Sequence, residues 1–105
     1  MIKQLISALA LTTLTTVPAL AQLTRISNDT FVAEDAQDRV HIIQYIRQDH
    51  EGDVQVKVTV NSNVMYYWVN CSQDRISKGG DYFDGWDYVD HRKMEGYYSD
   101  VACRR

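Results

Sequence analysis

The stretch "DVQVKVTVNS", residues 53–62, decides the fold of this chain. Its apolar residues alternate with polar ones, and the apolar set consists of Val54, Val56, Val58 and Val60. Successive side chains of a β-strand point to opposite faces, so a strict period of two predicts a strand with one buried face and one wet face. The domain is therefore expected to be built on a sheet whose valine face is covered.

Segments rich in branched and aromatic residues flank this strand on both sides. The preceding one, "RVHIIQYIRQ" (39–48), predicts an antiparallel partner, and the polar turn between the two contains Gly52, which is free to take a positive φ. The following one, "VMYYWVNC" (64–71), comes after a turn cluster and predicts a third strand. Its core-facing side chains are expected to be Met65, Tyr67, Val69 and Cys71, with Val64, Tyr66, Trp68 and Asn70 on the opposite face.

Shorter elements are expected at both ends of this three-stranded meander. The segments "LTRIS" (23–27) and 30–33 can add edge strands, and "GWDYVD" (85–90) is also extended in character. The final stretch, 96–105, predicts a short helix whose last turn carries Arg104 and Arg105 near the negative end of its dipole. Such a helix is too short to be stable alone and needs the sheet as support.

The first 21 residues have the composition of a secretory signal peptide. Lys3 precedes an apolar stretch, Pro18 ends it, and the sequence "ALA" at 19–21 fits an A-x-A cleavage site. The apolar stretch is too short for a membrane span of about 20 residues. The remaining 84 of the 105 residues, 22–105, are expected to form one domain, exported to the periplasm, the medium or the cell surface. Since Gln22 and not a cysteine follows the cut, neither a lipid anchor nor stable membrane insertion is expected.

Net charge narrows the choice of partners. Removing Lys3 with the signal peptide takes the formal net charge from −3 to −4, and no basic stripe remains in the sequence. Nucleic acid is therefore not expected as a partner, and neither is an anionic membrane surface.

Two cysteines, Cys71 and Cys103, are present in the exported chain. An exported chain with two cysteines most simply forms one disulfide, whose loop closure stabilises a small domain by roughly 3–4 kcal/mol. Metal-ligating thiols are not expected, because the C-x-x-C spacing is absent. The predicted fold is mainly β (α+β): an antiparallel sheet of five to six strands with a short C-terminal helix tied to it by this disulfide.

The second half of the chain resembles the surface-adhesin protein E family of small exported bacterial proteins. The resemblance lies in the order of "YYWVNC", "SQDRIS", a glycine-containing loop, "GWDYVD" and a final "VAC", and it covers most of residues 26–103. It implies an antiparallel sheet with a disulfide-tied C-terminal helix and an envelope or surface location. It also implies binding of extracellular-matrix proteins, the property of the family's named member.

The stretch "GGDYFDGWDYVDHRKMEGYY" (79–98) contains the candidate site residues. Its aspartates recur at every third position, at Asp81, Asp84, Asp87 and Asp90. A period of three scatters side chains over both faces of a strand, so no metal site and no cofactor are expected. Its aromatic residues can anchor a protein or glycan partner. The candidates are Tyr82, Phe83, Trp86 and Tyr88, although Trp86 and one of Tyr97 or Tyr98 are also expected to be needed in the core.

Histidines give the alternative to a binding protein. His41 is expected to be solvated on its strand, whereas His91 lies close in sequence to Asp87 and Asp90. A small hydrolase or inhibitor-like effector would use His91 with one of these carboxylates and would need a cleft around it. No H-E-x-x-H, G-x-S-x-G or Gly-rich phosphate loop is present, so a non-catalytic binding role is preferred, with a structural or stress role in the envelope as a third hypothesis.

Overall fold

Each strand of the sheet lies beside its neighbours in the sequence. The computed structural model describes residues 23–79 and 85–104. Its elements in chain order are β1 (Thr24–Arg25), β2 (Thr30–Glu34), β3 (Val40–Gln48), β4 (Val54–Val60), β5 (Asn63–Asn70), β6 (Arg75–Lys78), β7 (Asp87–Tyr88) and α1 (Glu95–Cys103). The strands form one antiparallel meander in this order, followed by the helix. The predicted fold class is confirmed, with seven strands within the described residues rather than five or six.

Two tight turns set the register of the central strands. Asn61 and Ser62 join β4 to β5 with φ of 51° and 72°, while Val60 and Asn63 pair directly. Two successive residues with positive φ are the pattern of a type I′ hairpin, whose twist matches that of the flanking strands. Gly52, in the turn between β3 and β4, has a φ of 93°, as the sequence predicts. The resulting register keeps the four valines of β4 on one face, where all are buried.

The core lies between this valine face and the helix. α1 packs across β3, β4 and β5. Four core side chains are fully buried, at 0% exposure: Ile43, Val56, Val58 and Val69. Full burial of such a side chain contributes about 1.5–3 kcal/mol relative to leaving it exposed. The other members of the core are Phe31, Val54, Val60, Ile76, Val89, Tyr98, Val101 and Ala102.

The helix is held at both ends by contacts outside itself. Near its start, a Cβ on Gly96 would lie 3.0 Å from the Cα of His91, so glycine allows the helix to approach the preceding turn. At its end, Cys103 forms the expected disulfide with Cys71, with 5.7 Å between the Cα atoms. Of the two arginines predicted in its last turn, Arg104 lies just beyond the helix, because α1 ends at Cys103, and Arg105 lies outside the described residues. A helix of nine residues depends on this packing for its stability.

Two side chains near the end of β5 differ in burial from the sequence-based expectation. The prediction that Cys71 faces the core is wrong, because β5 ends at Asn70 and Cys71 begins an exposed turn. Trp68 lies on the face away from the valines, as expected, yet it is buried. In the part of the chain that the structure describes, no helical segment has the length and hydrophobicity that a bilayer crossing requires.

Candidate functional site

His41 is the centre of a buried hydrogen-bonded chain. Its Nδ1 lies 2.6 Å from Oη of Tyr98, and its Nε2 lies 2.8 Å from Oδ2 of Asp35. The expectation of a solvated His41 is wrong, because the register of β3 places it in one row with Ala33 and Val60, which are also buried. The chain therefore links the turn after β2, strand β3 and the helix.

Asp35 is the charged end of this chain. Its Oδ1 accepts hydrogen bonds from the backbone N–H groups of Gln37 (2.8 Å) and Arg39 (3.0 Å), and its Oδ2 accepts one from Nε of Arg39 (2.8 Å). The hydrogen bond from His41 is the largest cause that holds the pKa of Asp35 well below its usual range, so the carboxylate is ionised. Because an ionised carboxylate can only accept, Nε2 of His41 donates to Asp35, and Nδ1 of the same ring is hydrogen-bonded to the hydroxyl of Tyr98.

Burial keeps the other end of the chain protonated. It is the largest cause that raises the pKa of Tyr98 far above its usual range. Both ring nitrogens of His41 thus have partners, and the hydroxyl of Tyr98 is not available as a nucleophile. These hydrogen bonds connect the helix to the sheet, which is a structural role.

The face of the sheet turned away from α1 carries exposed apolar side chains. Ile42 and Val64 belong to one row of paired residues, and Tyr66 belongs to the next. Their exposed fractions are 40%, 48% and 36%, respectively. We call this surface the open face; it comprises Ile42, Arg47, Val64, Tyr66, Trp68, Arg75 and Tyr88. Contiguous exposed apolar groups of this kind mark interaction surfaces.

Two arginines of the open face stack on aromatic rings. The guanidinium carbon of Arg47 lies 5.1 Å from the ring centroid of Trp68, and its Nε donates to Oε1 of Gln55 at 3.1 Å. The guanidinium carbon of Arg75 lies 4.4 Å from the ring centroid of Tyr88, and its Nη2 donates to Oη of Tyr88 at 2.9 Å. Cation–π contacts at exposed sites contribute about 0.5–1 kcal/mol. These contacts hold the long arginine side chains in place without a partner.

The four aromatic residues predicted as binding anchors have different positions. Tyr88 is 70% exposed in β7 and belongs to the open face. Trp86, which was also expected in the core, directly precedes β7 and is half-buried. Tyr82 and Phe83 lie outside the described residues. Of the two late tyrosines, Tyr98 is the one in the core, as expected.

The sequence-based predictions did not include Tyr66 or the stacked arginines among the candidate binding residues. A signal for Tyr66 was present, because Val64, Tyr66 and Trp68 alternate along β5 on the side that the valine pattern leaves uncovered. A solvated sheet face usually carries polar side chains, so three large apolar or aromatic ones on it are unusual. The arginines gave no such signal, since their contacts join residues from different strands.

His91 has a different partner from either carboxylate that the hydrolase hypothesis names. Its Nε2 lies 2.9 and 2.8 Å from the two carboxylate oxygens of Asp74. Asp87 belongs to β7, and the carboxylate of Asp90 accepts hydrogen bonds from Nε and Nη2 of Arg92. His91 does line a cleft, as that hypothesis requires, but within residues 23–79 and 85–104 no serine, threonine or cysteine lines it.

The acidic side chains that converge lie in the turn between β3 and β4. One oxygen each from Asp49, Glu51 and Asp53 lies within 4.8 Å of the others. Burial, followed by repulsion from the other two carboxylates, raises the pKa of Asp53. The turn itself creates this cluster, because Oδ1 of Asp49 accepts the backbone N–H groups of Glu51 and Asp53, both at 2.9 Å. In the aspartate series considered from the sequence, Asp81 and Asp84 lie outside the described residues.

Comparison of the chain with protein-family models, with curated proteins and with solved structures found no match. The resemblance to the surface-adhesin protein E family stays a prediction. The function therefore rests on the geometry of the open face and on the chemistry of its side chains.

Proposed function

We propose that this chain is an exported, non-catalytic binding domain whose open face engages a protein or glycan partner. The observation that carries the proposal is the unequal cover of the sheet. α1 packs on one face, while Ile42, Val64 and Tyr66 stay exposed together on the other. Exposure of large apolar side chains lowers solubility without benefit to the isolated domain, so their grouping favours a role in binding.

The chemistry of the open face fits a partner with both apolar and polar groups. Tyr66 and Tyr88 each present a ring and a hydroxyl, and Arg47 and Arg75 add N–H donors beside aromatic rings. Tyrosine, tryptophan and arginine are the residues most enriched at the energetic centres of interfaces. Because the two arginines are already held by stacking and hydrogen bonds, binding immobilises fewer side-chain rotamers.

Sequence features support the location and the non-catalytic role. Residues 1–21 have signal-peptide composition, and the Cys71–Cys103 disulfide is typical of oxidising compartments. The resemblance to the surface-adhesin protein E family adds an expectation of surface location. Both ring nitrogens of His41 have hydrogen-bond partners, which supports a structural role for this buried residue on the helix side of the sheet.

Titration of the labelled exported protein tests the proposal. The binding targets are isolated envelope fractions, intact cells of the organism that encodes it, and an immobilised glycan panel. Combining Tyr66→Ser with Tyr88→Ser should weaken saturable binding at least about 30-fold, since even one central aromatic anchor contributes about 2 kcal/mol or more. Both side chains are partly exposed, so the double variant is expected to keep its fold.

Arg104→Ser is the matched control, because Arg104 is exposed at the end of the helix and lies outside the open face. It should bind with unchanged affinity. Unaltered binding by the tyrosine double variant, or an equal loss in Arg104→Ser, would remove the open face as the binding surface.

A further inference from the structure

A cleft of about 760 Å³ lies on the helix side of the sheet. One wall is formed by residues 34–37 and Arg39, at the end of β2 and in the turn after it. The other wall is formed by residues 91–94, which precede α1. His41 and Tyr97 complete the lining. The volume falls within the range of about 300–1,000 Å³ that is usual for small-molecule sites. The cleft is separate from the open face, because His41 points to the opposite side of the sheet from Ile42.

Hydrogen bonds that two carboxylates accept hold both walls of the cleft. In the first wall, Asp35 accepts two backbone N–H groups and the side chains of Arg39 and His41. Before the second, Oδ1 of Asp90 accepts the backbone N–H and Nε of Arg92, both at 3.0 Å, and Oδ2 accepts Nη2 at 3.2 Å. Walls that are fixed in advance reduce the ordering cost of binding a ligand.

Among the described residues that line the cleft, Arg39, Arg92 and Lys93 are cationic and Glu34 and Asp35 are anionic. With histidine counted as neutral, the lining has a formal charge of 3 − 2 = +1, although the whole chain has −3. The charge of Asp35 is balanced by Arg39, to which it is hydrogen-bonded. Glu34, the last residue of β2, adds a second carboxylate to the lining of the first wall. Arg92 and Lys93 are both on the second wall.

Lys93 is the cation that the cleft leaves without an ion pair. Arg92 forms a salt bridge to Asp90, and hydrogen bonding from Arg92 is the largest cause that lowers the pKa of that carboxyl to about 2. The charge of Lys93 adds only a smaller contribution to that effect. Among the described residues, Lys93 has no carboxylate within ion-pair distance. An anion in the cleft could therefore pair with the ammonium group of Lys93 without breaking an existing ion pair.

Apolar surface lies next to this cation. Met94 directly follows Lys93, Tyr97 is one helical turn further on, and both are half-buried against the hydrophobic core. Their outer surfaces line the cleft. A ligand that binds there would bury an apolar body on Met94 and Tyr97.

We infer that this cleft binds a small amphipathic organic anion. Its anionic group lies at Lys93, and its apolar body lies against Met94 and Tyr97. The inference does not depend on the proposed role of the open face, because the two surfaces are on opposite sides of the sheet.

Octanoate titrated into the full exported protein, below micelle formation and at low salt, tests this inference by backbone amide chemical shifts. Octanamide is the uncharged analogue of the same length, and acetate is the anion without an apolar body. Octanoate should bind at least about tenfold more tightly than either, and the amides of residues 34–41 and 91–97 should shift. Lys93→Gln should weaken octanoate binding and so abolish the preference for octanoate over octanamide.

Lys57→Gln is the matched control, because Lys57 pairs with Tyr66 on the other face of the sheet. It should keep the full preference for octanoate. Equal binding of octanoate and octanamide, absence of saturable binding, or shifts confined to the open face would each overturn the inference. Binding to phosphatidylglycerol vesicles without binding of octanoate would also overturn it, since a membrane headgroup would then be the ligand.

Discussion

Removal of the hydroxyl of Tyr98 perturbs the buried chain without changing its shape. Tyr98→Phe deletes the atom that lies 2.6 Å from Nδ1 of His41 and leaves the ring in the core. Because Tyr98 is only 4% exposed, water does not replace the lost hydrogen bond, and a buried polar group left without a partner costs about 1–3 kcal/mol. Each kcal/mol lowers the melting temperature of a domain of this size by about 4–8 °C, so we expect a fall on the order of 10 °C.

The matched control is Tyr88→Phe, which removes a hydroxyl of the same chemistry at the surface. Its hydrogen bond from Arg75 is 2.9 Å long, but water can take its place, so the free energy of unfolding should change by less than about 0.5 kcal/mol. Both variants are compared by thermal and urea unfolding at pH 7 with the disulfide intact, followed by circular dichroism. If Tyr98→Phe were no less stable than Tyr88→Phe, the hydrogen bond between Tyr98 and His41 would not stabilise the fold.

The remaining predictions concern the disulfide, the hydrophobic core and the carboxylates of Asp35 and Asp53. Cys71→Ser removes a disulfide that spans a sequence separation of 32 residues, so it should lower the free energy of unfolding by roughly 3–4 kcal/mol, measured in urea. An unchanged midpoint of urea unfolding would show that the disulfide does not stabilise the domain. Val56→Asp places an unpaired charge at a site with 0% exposure and should abolish the native circular dichroism spectrum, whereas Val64→Asp on the open face should remain folded. The pKa of Asp35 in the folded protein lies below the ordinary value of 3.8, so its contribution to stability is complete above about pH 4 and is lost as the pH falls. Asp35→Asn should therefore make the free energy of unfolding less dependent on pH in the acid range. An unchanged pH dependence would contradict this. The pKa of Asp53 is raised, so its charge opposes folding at neutral pH; Asp53→Asn should raise stability at pH 7 by up to about 1 kcal/mol, and a loss of stability there would disprove the repulsion.

The three central strands were predictable because their local pattern and their burial agree. The valines of β4 alternate without interruption, and every one of them is buried. The turns on either side also carry their own chemistry, with Gly52 at a positive φ and the pair Asn61-Ser62 in a two-residue loop. Local sequence was sufficient here because each residue's preference matches its place in the fold.

The strand β6 was not predicted from the residues themselves. Its four residues, "RISK", include one branched apolar side chain, Ile76, and are too few to show a period. Pairing with β5 makes them a strand, because Val69 lies opposite Ile76 and Trp68 lies opposite Ser77. Such an element is defined by its neighbour in the sheet, which a single short segment cannot indicate.

The position of His41 could not be settled from β3 alone. Val40, Ile42 and Ile46 alternate with His41, Ile43 and Tyr45, so both faces of the strand carry apolar residues. The face that α1 covers depends on a contact between His41 and Tyr98, which are 57 positions apart in the sequence. For the same reason the open face could not be identified from the sequence, because Tyr66 is a candidate binding residue only if the helix leaves its face of the sheet uncovered.

Photo-crosslinking in living cells tests the central claim that the open face meets a partner. A photoreactive benzoyl-phenylalanine is placed at Tyr66 on the open face and, in a separate strain, at Arg104 beyond the end of the helix. The adducts formed on irradiation of the encoding organism are then compared. A discrete adduct from position 66 that is absent from position 104 is the predicted result. Adducts from position 104 alone, or none from position 66 in cells that export the folded protein, would contradict the claim.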